Sequence, residues 1–228
     1  MSADWNAILN PDMKKPIVAI DVDGCILDIY TPLTKLLHMR GYVEFSMNRV
    51  LTYDFNKSLE QSKVPDWLSK SSISGDFYLN AYRNDIFGAL SSDETFMFAK
   101  LYPNCAEMLK KLSSVASIVL NTMSLTESIK EIKRHKLDFS GILLNSFIGA
   151  KPALDHADFV IDDSIFELDK YSSSTKKYLV NAPYNQVEFN NSENNFKDIT
   201  RSLSAASAMY EIYCSILATN MEVEHEKC

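Results

Sequence analysis

Five short apolar runs punctuate the chain: Ile17–Ile20, Ser117–Leu120, Gly141–Leu144, Asp158–Ile161 and Lys177–Val180. They are continuous rather than alternating, which predicts strands buried on both faces. Helical periods lie between them. Cys105, Met108, Leu109 and Leu112 fall at i, i+3, i+4 and i+7, just after Pro103, and proline is tolerated at a helix start. Ser124 with Glu127 three residues on predicts a capping box, with Leu125, Ile129 and Ile132 forming one face behind it. Ile165, Phe166 and Leu168 predict a shorter helix. Alternating strands and helices of this size predict an α/β fold, a parallel sheet covered by helices on both faces. Ligands of such sheets bind beyond the carboxyl ends of the strands.

Two stretches break the alternation. From about Ile29 to Tyr102 the sequence is rich in aromatics and carries helical patterns, and some seventy residues are too many for a loop. This predicts a small helical cap inserted after the first strand. At the other end, Phe196, Ile199, Leu203, Ala206, Tyr210, Tyr213 and Leu217 recur three and four apart. Such a seam suits a terminal helix packed on its own domain or a homodimer contact. The expected division is a core of 1–28 and 103–190, a cap of 29–102 and a C-terminal helical extension of 191–228.

The chain has 228 residues, of which 46% are apolar and 23% charged, enough for a full core without covalent staples. The net charge of −7 disfavours a nucleic-acid polymer as partner, because phosphate backbones repel an acidic surface. A small phosphorylated ligand is not excluded, since a local cluster or metal can reverse the sign inside a pocket. Cys25, Cys105, Cys214 and Cys228 show no CxxC spacing, so free thiols in a reducing cytoplasm are expected. No basic segment followed by an apolar one opens the chain, and no run approaches about 18 apolar residues, so neither a signal peptide nor a membrane span is expected.

The candidate chemistry sits where strands end. Asp21-Val22-Asp23-Gly24 closes the first. Alternation puts Asp21 and Asp23 on one face, and Gly24 permits a tight backbone path. Two close carboxylates repel unless a cation or a shared proton separates them. A calcium loop is a poor alternative, because the twelfth position from Asp21 is Pro32 where a glutamate is needed. Asp162-Asp163 ends the fourth run. It suits magnesium, a hard ion that takes one or two carboxylates plus phosphate oxygens, and Asp163 or Ser164 could also cap the next helix. Thr122 closes the second strand and Lys151 lies between the third and fourth. Lys130, Lys133, Arg134 and Lys136 read as a solvated helix face, and the four histidines fit no motif.

Together these signals resemble the haloacid dehalogenase-like hydrolase superfamily, a resemblance that implies a Rossmann-like parallel sheet flanked by helices. Asp21-Val22-Asp23-Gly24, Thr122, Lys151 and Asp162-Asp163 match its four motifs in order over about residues 14 to 185, with the cap placed as in its C1 class. A narrower resemblance is to the 5'(3')-deoxyribonucleotidases. It rests on Asp21–Asp28, on Phe96-Met97-Phe98 before Tyr102-Pro103-Asn104, and on Lys151 through Asp163. Cys25 and Thr122-Met123-Ser124 depart from that subfamily's pattern.

The resemblance implies magnesium-dependent hydrolysis of a phosphate monoester, with a nucleoside monophosphate as partner. Asp21 would be the nucleophile and Asp23 the acid and base. Thr122 and Lys151 would hold the phosphoryl group. Asp21, the Asp23 carbonyl and Asp162 would hold the metal, and Asp163 would orient the metal's shell. Asp28, Phe55, Phe96, Phe98 and Met123 are candidates to meet the substrate, with cap core as the alternative for each phenylalanine. Another small phosphometabolite as substrate, or a non-catalytic protein that binds a phosphorylated ligand on the same fold, remain open at this level.

Overall fold

Order along the chain and order across the sheet differ, and the difference locates the site. The computed structural model describes residues 15–42, 45–47, 84–149, 151–185 and 198–225. In chain order its elements are β1 (Ile17–Ile20), β2 (Leu27–Asp28), α1 (Tyr30–Met39), α2 (Asp93–Phe98), β3 (Lys100–Leu101), α3 (Cys105–Val115), β4 (Ser117–Ser124), α4 (Glu127–Lys136), β5 (Leu143–Ile148), β6 (Phe159–Asp162), α5 (Ile165–Asp169), β7 (Lys176–Val180), β8 (Ile199–Ser202) and α6 (Ala205–His225). The main sheet runs β5-β4-β1-β6-β7-β8, with every pairing parallel. The chain builds outward from β1 on one side, then returns to build outward through β6 on the other. That reversal leaves a crevice at the carboxyl ends of β1 and β6, where open parallel sheets take their ligands.

The strands are buried on both faces, as their unbroken apolar runs require. Val18 and Ile20 of β1 join Ile118, Leu120, Phe159 and Ile161 in one core layer, which Met108, Leu109 and Leu112 of α3 and Met209, Ile212 and Ile216 of α6 complete. Ala19 faces the opposite layer with Val160 and Leu179, covered by Ile165, Leu168 and Tyr171. Each fully buried leucine or isoleucine here contributes roughly 1.5–3 kcal/mol.

Several sequence expectations need correction. Thr126, not Ser124, caps α4, its side chain accepting from the Ile129 backbone N–H. Ser124 is still in β4, where its hydroxyl meets that of Ser146 at 2.9 Å. The chain after residue 190 is not purely helical: Ile199 belongs to β8, the edge strand beside β7. The face that α6 buries centres on Ala205, Ala208, Met209, Ile212 and Ile216; of the expected seam, Ala206 is also buried and Tyr213 packs partly against the core, whereas Tyr210 and Leu217 are exposed. Packing against α3 and the sheet rotated the helix by about one residue from the face that periodicity suggested.

The described ends of the insert lie side by side. β2 and β3 pair antiparallel, and the Tyr102 N–H donates to the Ile26 carbonyl at 2.8 Å. The chain therefore leaves the core and returns to it through neighbouring backbone. Leu33 and Leu37 of α1 pack with Ile86, Ala89, Ala182 and Tyr184 in a separate apolar cluster at this junction.

Candidate active site

The β1–β6 ladder continues one residue past β1. The Asp21 N–H donates to the Ile161 carbonyl at 2.8 Å, which sets Asp21 beside Asp162. The chain then tightens into one helical turn, the N–H groups of Ile26 and Leu27 both donating to the Val22 carbonyl at 2.9 and 2.8 Å. Gly24 has φ +81°, and a Cβ there would strike the Asp163 carboxylate and the Tyr30 ring. Glycine is required both for this backbone and for the closeness of Asp163.

Lys151 joins the two strand ends. Its ammonium donates to Asp21 Oδ1 and, at 2.7 Å, to Asp162 Oδ2, and all three side chains are buried. Burial disfavours the Lys151 charge, but Asp162 and Asp21 outweigh it and hold the group well above the ordinary lysine range. Burial pushes the Asp162 carboxyl up to about 7 against the pull of Lys151. The other Asp162 oxygen accepts from the Ser164 N–H at 2.8 Å, so both of its oxygens are engaged. Ser164 also caps α5, accepting from Glu167. Asn121, buried in β4, donates to the Pro152 carbonyl at 3.0 Å and so ties down the loop that carries Lys151.

Asp163 has no lysine. It accepts from the Tyr184 hydroxyl and, at 3.3 Å, from that of Tyr30, and Asn185 donates to its carbonyl at 2.9 Å. Burial, then the charges of Asp21 and Asp162, raise its carboxyl well above the usual range. The ligand atoms of Asp21, Cys25 and Asp163 lie within 4.8 Å of one another. Burial, then Asp163, keeps the Cys25 thiol protonated far above its ordinary value, which leaves the two carboxylates as the donors. Oxygen donors suit a hard divalent cation, and a positive charge there would offset the repulsion that raises Asp163. The residues present fit magnesium.

Asp23 meets Lys133, which is buried rather than on the solvated helix face expected for it. Lys133 of α4 has 0% side-chain exposure and donates to Asp23 Oδ2 at 2.5 Å. It donates also to Thr122 Oγ1 at 3.0 Å and to the Met123 carbonyl at 2.5 Å. The missed signal was its phase: Lys133 follows Ile129 by four residues, on the apolar face of α4. Asp23 Oδ1 is closed off from solvent, with no hydrogen-bond partner among the described residues.

The remaining candidates separate. Thr122 is fully buried, its hydroxyl held by Lys133 and directed at the Met123 carbonyl at 3.2 Å. Phe96 is 4% exposed and lies under the Lys133 ammonium, so it is core rather than a stacking surface for a ligand. Phe98 at 70% and Met123 at 37% are exposed. Asp28 accepts from the Thr31 N–H at 3.0 Å and starts α1. Phe55 lies outside the described residues.

No family model matches the sequence, and no curated protein matches it. Solved structures do match in fold. A candidate phosphoglycolate phosphatase from Lactobacillus delbrueckii superposes with a TM-score of 0.52 at 14% identity, over 88% of this chain and 99% of that one. Protein Tyrosine Kinase A of Mycobacterium tuberculosis gives 0.52 at 14% identity, over 84% and 95%. A haloacid dehalogenase-like family hydrolase from Streptococcus pneumoniae gives 0.45 at 14%, over 87% and 98%. The structural neighbours thus include haloacid dehalogenase-like hydrolases and phosphatases. At these identities the likeness concerns the fold. No helix among the described residues is long and apolar enough to cross a membrane.

Proposed function

We propose that this chain is a magnesium-dependent phosphatase of the haloacid dehalogenase-like type that acts on phosphate monoesters. One observation carries the reading: Asp21, Asp23, Asp162 and Asp163, from sequence positions up to 142 apart, converge with two buried lysines at the crevice between β1 and β6. The names of the structural neighbours agree with it.

In this reading the Asp21 carboxylate attacks phosphorus, a P–O bond to Asp21 forms, and the ester P–O bond breaks. Asp23 gives its proton to the departing alkoxide. It then takes one from the water that hydrolyses the aspartyl-phosphate. Burial raises the Asp23 carboxyl and Lys133 opposes the rise, which suits a group that must hold and release a proton. Lys151 faces the transferring oxygens with its charge kept by two carboxylates. Asp21 and Asp163 would hold magnesium, in place of the expected Asp162, whose two oxygens are taken by Lys151 and the Ser164 N–H. When bound, the cation supplies charge that lets an anionic nucleophile meet an anionic phosphate.

For the substrate we favour a nucleoside monophosphate, on the resemblance of Asp21–Asp28 and Lys151–Asp163 to the deoxyribonucleotidases, with exposed Phe98 and Met123 offering apolar contact to a base. Release of inorganic phosphate from a panel of nucleoside monophosphates and sugar phosphates, with and without magnesium, tests both levels. Equal rates on all substrates would remove the nucleotide preference. No release by the wild type, or release that persists in a folded Asp21→Asn variant, would remove the phosphatase assignment.

A further inference from the structure

The two hydroxyls at Asp163 come from residues 154 apart in sequence. Tyr30 opens α1 and so belongs to the insert. Tyr184 lies in the short turn Pro183–Asn185 that follows β7. Tyr184 donates to Asp163 Oδ2. The Tyr30 hydroxyl stands 3.3 Å from the same oxygen and 2.8 Å from the Tyr184 hydroxyl, so its single proton serves one or the other. Either way the tyrosines gather on Oδ2, and Oδ1 is the carboxylate oxygen left to meet a cation.

The arrangement is braced on every side. The two rings meet edge to face with centroids 5.6 Å apart. Tyr184 is buried with Leu33 and Leu37 of α1. Asn185, the next residue, donates to the carbonyls of Asp163 at 2.9 Å and Val180 at 2.7 Å, and its side-chain oxygen accepts from the Ala182 N–H at 3.1 Å. One turn therefore fixes both the Asp163 backbone and the ring that holds its carboxylate. Gly24 supplies the remaining wall, where a Cβ would strike Asp163 Oδ2 and the Tyr30 ring.

We propose that Tyr184, backed by Tyr30, is a positioning residue that holds Asp163 by Oδ2 so that Oδ1 is presented to magnesium. The inference rests on the reading of Asp163 as a magnesium ligand. A carboxylate already held in place binds a cation better than one that must be ordered on binding. Because Tyr30 belongs to the insert, the first helix of the insert helps to build the metal site.

The test is isothermal calorimetry of magnesium chloride with the full chain and no substrate. Tyr184→Phe keeps the ring and removes the hydroxyl. It should weaken magnesium binding by about 10–100-fold, the usual worth of a partner to a metal ligand, and Tyr30→Phe should weaken it less. Tyr42→Phe is the control, since it removes a hydroxyl that donates to Asp85 elsewhere in the insert. It should bind magnesium as wild type does. Wild-type affinity in a folded Tyr184→Phe variant would overturn the proposal, and so would an equal loss in Tyr42→Phe, which would trace the effect to a loosened insert. If Tyr184→Phe does not fold, Tyr30→Phe carries the same comparison, and failure of both to fold makes the hydroxyls structural and overturns it. Asp163→Asn separates the two levels. Wild-type affinity in that variant sinks Asp163 as a ligand and this inference with it, whereas loss there but not in Tyr184→Phe sinks the positioning role alone. No binding by the wild type sinks the magnesium reading itself.

Discussion

Lys151 Nζ and Asp162 Oδ2 stand 2.7 Å apart across the gap between a loop and the end of β6. The same nitrogen meets Asp21, so one ammonium neutralises the carboxylate that ends one strand and a carboxylate of the next. Removing it leaves two buried carboxylates facing each other. Breaking a buried pair in this way costs about 3–5 kcal/mol.

Lys151→Met should therefore lower the unfolding free energy by about 3–5 kcal/mol in the absence of metal, measured by urea denaturation, and abolish phosphate release. Magnesium should recover part of the stability and none of the activity, because it can screen the carboxylates but cannot take the lysine's place against the phosphoryl oxygens. A variant as stable as wild type would show that the pair is not closed in solution.

Gly24 and Gly141 offer a controlled comparison. Both have positive φ, +81° and +78°, but a Cβ at Gly141 meets nothing within 4 Å while one at Gly24 meets Asp163 and Tyr30. Each Ala substitution carries the left-handed backbone penalty of about 1–2 kcal/mol. Gly24→Ala must also displace the Asp163 carboxylate. It should lose magnesium affinity, read by isothermal calorimetry, whereas Gly141→Ala should lose only stability. Equal magnesium affinity in the two variants would argue against Asp163 as a ligand.

The thiols give a test that is independent of function. Burial pushes Cys105 up to about 11 and holds Cys25 well above the ordinary thiol range, while Cys214 is exposed. Both buried thiols stay protonated at pH 8 and should resist an aromatic disulfide reagent that modifies Cys214, as peptide mass mapping would report. The sign for stability follows from the raised values. Between the ordinary thiol value of 9.0 and about 11 the unfolded chain loses its Cys105 proton first, so stability falls as pH rises through that window. Labelling of Cys105 at the rate of Cys214 in the native state would contradict the packing described.

Sequence alone located the strand-end acids. Apolar runs that stop at Asp21 and Asp162 mark buried strands ending in carboxylates, and burial makes unpartnered acids there costly enough to point to a shared site. The parallel sheet and the alternation of elements followed from the same runs. What sequence could not decide was contact between distant elements. The strand at Ile199–Ser202 is short and three of its four residues are polar, so only its pairing with β7 makes it a strand. Phe96 carried the same aromatic signal as Phe98, yet one lies beneath Lys133 and the other faces solvent. Lys133 itself sat in a run of basic residues that looked like a solvated surface. Its burial depends on Asp23, 110 residues away, and a charge is tolerated in the interior only when a specific partner arrives from elsewhere in the chain. Periodicity reports the phase of a helix, while the partner that turns a buried lysine from a penalty into a tether is supplied by the tertiary fold.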